Sequence, residues 1–142
     1  MKTICFGILL CCIGNLNAQV TFSEHVAPII YNKCSSCHHA GGIAPLAFTS
    51  YAEVKKQAGM IMMAAVDAKF MPPWMPDTSY SHFIDERRLS ESETTALKKW
   101  IADGMPQGTT AAEPEVPSFP KGSALGKPDL TVSMEQSFTH KG

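Results

Sequence analysis

Apolar positions recur at helical spacing in three stretches of this 142-residue chain. Phe22, Val26, Ile29, Ile30 and Lys33 follow i, i+4, i+7, i+8, i+11 spacing, apolar until Lys33, and predict a helix over residues 23–35. Ser23 is its candidate N-cap. Pro28 sets the start of regular helix near itself, because a proline ring beyond the first turn clashes with the turn before it. A second helix is predicted over 51–68, with Val54, Ala58, Ile61, Met62 and Ala65 on its stripe and Ser50 with Glu53 as an S-x-x-E capping box. A third, over 91–103, carries Leu97, Trp100 and Ile101. Ser90 and Glu93 repeat the box there, and Gly104 suits the position just past the end.

The connections read differently. Residues 39–49 form a loop with Gly41, Gly42 and Pro45. Phe70-Met71-Pro72-Pro73-Trp74-Met75-Pro76 has three prolines in five residues, which rules out helix and sheet ladder and leaves a stiff, extended loop. From Gln107 the composition shifts to Gly, Thr and Ala and then to Pro114, Pro117 and Pro120, the pattern of a linker. A weak strand-like alternation in Leu130, Val132 and Met134 follows. The expectation is a small all-α domain over residues 19–108 and a Pro-rich tail over residues 109–142.

The first 18 residues change the picture of compartment. Lys2, an apolar run from Ile4 to Ile13 and the small Ala18 read as a secretory signal cut after Ala18. The run is too short to span a bilayer. Cys11 and Cys12 raise a lipoprotein reading, but Leu10 and Cys11 ahead of them are not the small residues it needs. Cleavage would remove Cys5, Cys11 and Cys12 and leave Cys34 and Cys37 as the only cysteines, too few for a disulfide scaffold. The remaining 124 residues carry eleven basic and thirteen acidic side chains, net −2, with no basic cluster to suggest nucleic acid or an anionic membrane. The expected location is periplasmic or otherwise exported, with no membrane span after cleavage.

Those two cysteines carry the chemistry. Cys34-Ser35-Ser36-Cys37-His38 is C-x-x-C-H, the attachment signature of c-type haem. Two thiols with two residues between them match the separation of the haem vinyl groups, and the next residue brings a neutral imidazole under the iron. A thioredoxin-like redox pair would want a βαβ context, and none is visible. A structural zinc site wants four N/S ligands, and no second cysteine pair exists. A core of about 90 residues is small, so a buried macrocycle would supply much of its apolar interior.

His38 is therefore the expected proximal ligand. Its other ring nitrogen needs an acceptor that fixes the tautomer, for which the carbonyl of Pro45 is the candidate. For the distal side, Met62 lies on a helix stripe where core packing is the usual role, and Met60 and Met63 share that helix. Met71 opens the proline-stiffened loop, where a thioether is held at low entropic cost, and it is the favoured distal ligand, with Met75 next. His82 is the serious rival; His25 and His39 are weaker ones. Arg87 and Arg88 suit haem propionates, though a solvated pair ahead of a helix explains them as well. Trp74 and Trp100 would bury beside a porphyrin or in ordinary core.

With those residues in place the chain resembles the class I c-type cytochrome domain. More closely, it resembles the cytochrome domains that precede copper type II ascorbate-dependent monooxygenase-like domains. The shared stretches are Val26-Ala27-Pro28-Ile29, Ile43-Ala44-Pro45-Leu46, Met71-Pro72-Pro73-Trp74, Asp85-Glu86-Arg87-Arg88-Leu89-Ser90 and Trp100-Ile101-Ala102-Asp103-Gly104. The resemblance covers about residues 20–108, and Gly126-Lys127-Pro128-Asp129-Leu130 looks like the lead-in to the next domain. It implies a cytochrome c-like fold around one covalent haem, Met71 as distal ligand, and single-electron exchange with other redox proteins rather than catalysis. No copper-ligand set follows in these residues, so monooxygenase activity is not carried over. The tail then reads as a truncated product, half of a split protein or a vestige. Two rival functions stand beside the carrier. One is a haem enzyme or sensor with an open axial site. The other is a module that docks a downstream domain or subunit through its tail.

Overall fold

A computed structural model describes residues 19–119 and 126–139; the expected leader, residues 1–18, lies outside them. The described chain is helical, and no strand occurs among the described residues. None of its helices is long and apolar enough to cross a membrane.

The first helix begins differently from its expected form. Phe22–Val26 is a wider, π-helical turn, and α1 (Ala27–Lys33) follows it. Regular α geometry would set the Pro28 ring against the carbonyl of Glu24, and the wider turn upstream relieves that clash. In it Val26 N–H donates to the Thr21 carbonyl, five residues back. Thr21, extended, is the N-cap residue. Ser23 is not: it lies inside the turn, fully buried, with its hydroxyl 3.5 Å from a Glu113 carboxylate oxygen.

The second predicted helix is three consecutive pieces, α2 (Tyr51–Lys56), α3 (Ala58–Ile61) and a π-helical segment Met62–Asp67. Ser50 accepts from Glu53 N–H, but the Glu53 carboxylate reaches back one residue further, to Thr49 N–H and hydroxyl, so the box closes on Thr49. Val54, Ala58 and Ile61 are buried as expected. Beyond them the extra residue per wide turn rotates the inward face, so Ala64 and Val66 are buried while Met62 and Ala65 are only half-buried. α4 (Glu91–Ala102) carries the full reciprocal capping box of Ser90 and Glu93. Gly104 closes it at φ +84°, a conformation that costs glycine little.

Phe22 is the centre of the core. Its ring lies 5.4 Å from Tyr51, 6.0 Å from Trp100 and 6.4 Å from Tyr31, tying α1, α2 and α4 together. The chain then returns from α4 across the start of α1: Phe22 N–H donates to the Pro106 carbonyl and Ser23 N–H to that of Gln107, both at 2.9 Å. Trp100 Nε1 also donates to Pro106 and Tyr51 Oη to Met105. Gly108 sits at φ +80°, and a Cβ there would stand 2.6 Å from Thr21 Cβ, so the crossing requires glycine.

The segment read as a linker meets this framework at Glu113 and Phe119. Tyr31 Oη donates to Glu113 at 2.7 Å, and the Phe119 ring stacks on His39 at 3.9 Å and 8°. Burial first, and then the Glu113 carboxylate, push the Tyr31 hydroxyl above its ordinary range. Residues 127–138, with their weak alternation, are exposed and form no strand.

Candidate cofactor site

α1 ends at Lys33 and delivers the motif. The five residues Cys34 to His38 leave the helix in continuing turns: Cys34 and Ser35 N–H both donate to Ile30, and Cys37 and His38 N–H to Cys34. Ser35 is fully buried, and its hydroxyl donates to the Phe48 carbonyl at 2.7 Å, with the Ile30 carbonyl at 3.2 Å. Ala44 N–H returns to Cys37 and Phe48 N–H to His38, which closes the loop over residues 37–48. A Cβ on Gly42 would lie 2.5 Å from the Cys37 carbonyl oxygen, so this close turn needs glycine.

His38 is fixed twice. Its ring stacks on Phe48 at 4.4 Å and 15°, and Nδ1 lies 3.0 Å from the Leu46 carbonyl. The acceptor is therefore Leu46, not Pro45. The turn that brings Phe48 N–H to His38 points the next carbonyl along, one residue past the proline, at the ring. Donation from Nδ1 leaves Nε2 as the nitrogen free for a metal.

Cys34, Cys37, His38 and Met71 line one cavity of about 440 Å³, within the ordinary size of a cofactor pocket. Its walls are apolar almost throughout, with Ile43, Leu46, Phe48, Ile61, Phe70 and the prolines 45, 72 and 73 among them. Met60 and Met63 also face it. Sequence reasoning had set these two aside with their helix; their i, i+3 spacing opposite the buried stripe was the signal. Met75, 96% exposed, and His82, whose side chain is 81% exposed and bonded to Glu86, are not on its walls. His25 accepts from Thr21 N–H, and His39 pairs its Nδ1 with the Ser35 carbonyl, so both rings are engaged elsewhere. Arg87 and Lys33 stand at the cavity while Arg88 and Trp74 line a neighbouring one, and Trp100 belongs to the core.

Burial, with smaller contributions from Glu93 and Cys37, pushes the Cys34 thiol up to about 12. A reactive redox thiol is shifted the other way. Among the described residues no three His, Cys, Asp or Glu side chains converge as a bare-metal site requires. The donor set and walls instead fit a flat, apolar macrocycle that brings its own metal: two thiols and an imidazole at one end, a thioether on the wall, and little else polar.

Family models, curated proteins and solved structures were each compared with the chain, and none matches it.

Proposed function

We propose that the chain is an exported c-type cytochrome that carries single electrons. In this reading Cys34 and Cys37 hold the haem by thioether bonds, His38 is the proximal ligand and Met71 the distal one. The observation that carries it is the meeting of these four residues, far apart in sequence as Met71 is from the motif, on one apolar cavity.

When bound, the haem supplies a one-electron couple at its iron. The chain's own residues do the rest. The Leu46 carbonyl holds the His38 Nδ1 proton, orients the ring and makes it a better donor. The Phe48 ring stops it from turning. Apolar walls exclude water, which sets the dielectric around the metal. Met71 and His38 would hold the iron, and a thioether paired with an imidazole would raise its potential. With His38 and Met71 both engaged, a bound haem would have no site left for a substrate, so the chain would carry electrons rather than transform a substrate, with other redox proteins as its partners.

The test is an absorption spectrum of protein matured in a host that attaches haem c. Covalent haem with the weak near-infrared methionine–iron band supports the reading. Covalent haem without that band points to the open-site enzyme or sensor. Absence of haem returns the two cysteines to thiol chemistry and overturns it.

A further inference from the structure

The ring of His39 is engaged by the motif that precedes it. Its Nδ1 lies 2.8 Å from the Ser35 carbonyl. A carbonyl only accepts, so the imidazole is the donor. Ser35 stands between the two thiols. The bond therefore ties the residue after His38 back to the middle of the C-x-x-C turn. A Cβ on Gly42 would stand 3.0 Å from His39 Cε1 and Nδ1, so that glycine leaves room for the ring beside the turn.

A second contact reaches the same ring from the far end of the chain. The Phe119 ring lies parallel to His39, with 3.9 Å between centroids and 8° between planes, and both side chains are half-buried. A stacked ring pair adds to the area it buries. Residues 107–119 come to this point by a fixed route. Ser23 N–H donates to the Gln107 carbonyl at 2.9 Å, and Tyr31 Oη to Glu113 at 2.7 Å. Pro114 and Pro117 then stiffen the stretch from Glu113 to Phe119. A stiff approach lowers the entropy lost in holding the ring on its partner.

We infer that His39 and Phe119 are positioning residues that clamp the turn between Cys34 and Cys37. His39 acts through its bond to Ser35, and Phe119 holds the imidazole in place. The strap over residues 107–119 is then part of the apparatus that presents the two thiols, not a spacer. The consequence for a cofactor rests on the cytochrome reading; the clamp itself does not.

The full chain is expressed in a haem-attaching host. Amide hydrogen exchange is followed at Cys37, His38 and Gly42, whose N–H groups bond within the loop. His39→Phe keeps a ring for the stack and loses the donor. Phe119→Ala keeps the donor and loses the stack. Each is expected to speed exchange there roughly two- to tenfold, while Phe119→Tyr, which keeps the ring, stays within about twofold of the parent. Ser90→Ala removes the cap of α4 and lowers stability without this local effect. In haem-bearing protein, His39→Phe and Phe119→Ala should also raise the share of singly attached haem, read from the reduced spectrum, and shift the reduction potential. Should His39→Phe fail to fold, Phe119→Ala, outside the core, carries the test. The clamp is overturned if exchange is unchanged in both variants or if Ser90→Ala matches them. The positioning role is overturned if exchange responds in haem-bearing protein but neither attachment nor potential moves. A parent that isolates without haem sinks the cytochrome reading alone, since exchange is then compared among haem-free chains.

Discussion

The two loops that meet at the apolar cavity are built in opposite ways. The loop over residues 34–48 is held from within: its backbone bonds to itself at Cys34, Cys37 and His38, and Ser35 ties its start to its end. The segment over residues 70–89 has few backbone bonds of its own, at its start and at Asp77, and side chains hold its later half: Lys33 Nζ donates to the Glu86 carbonyl and Arg88 to Thr78 Oγ1. Phe70 and Met71 N–H donate to Ala64, and Tyr80 and Ser81 N–H to Asp77. Pro72, Pro73 and Pro76 have no N–H to give. Met75, Tyr80 and Ile84 are each more than nine-tenths exposed. The imidazole side is thus organised by the chain itself, whereas Met71, at 37% exposure, is left open on one side. In the proposed reading, His38 on the first loop would be placed by the fold alone. Met71 on the second would be placed by the fold and the cofactor together.

The largest effect that would break this contrast is at the thiols. Cys37→Ala is expected to lose two-thioether attachment, read by mass and by the reduced spectrum, and unchanged double attachment would refute the assignment. Next comes Met71→Ala, which should lower the potential and abolish the methionine–iron band while changing the stability of the haem-free chain by less than about 0.5 kcal/mol, as for an exposed side chain. A preserved band would move the distal role to Met60 or Met63, which share the cavity wall.

Ser35→Ala sharpens the other side. It leaves the Phe48 carbonyl without its 2.7 Å donor in a buried position, so a loss of about 1–3 kcal/mol is expected in urea unfolding. A loss no larger than that of Met71→Ala would erase the distinction between the loops. The smallest effect is at Glu53, whose carboxylate clasps Thr49 where the first loop runs into α2. Burial works to raise this carboxyl, but the bonds from Thr49 and Ser50 outweigh it and hold it below the ordinary value. A depressed folded-state pKa stabilises above the unfolded value, and that stability is lost as pH falls through the folded one. Glu53→Gln should therefore cost less than about 1 kcal/mol at neutral pH, given its solvent access, and the difference from the parent should shrink in acid. A cost that does not depend on pH would assign the effect to shape rather than charge.

Much of this was legible along the chain because it is local. The capping box of Ser90 and Glu93 and the glycine that ends α4 depend on residues three or four apart, and they formed as read. The C-x-x-C-H motif is local too, so its two thiols and imidazole necessarily lie together. Ser23 and Pro45 were misplaced by the same local reasoning. A widened turn ahead of Pro28 moved the cap to Thr21, and a closing turn aimed the carbonyl of Leu46, not Pro45, at His38. Nothing in side-chain identity distinguishes one backbone carbonyl from the next.

Local sequence was enough for α4 with its caps, the C-x-x-C-H motif and a proline-stiffened segment carrying Met71. Packing between elements selected which of the seven methionines after residue 18 share the cavity with His38. Packing also brought Gln107 to Ser23, Glu113 to Tyr31 and Phe119 to His39. Periodicity reports which face of an element is buried. It does not report what a loop 30 residues away brings to that face, because that is settled by packing between elements.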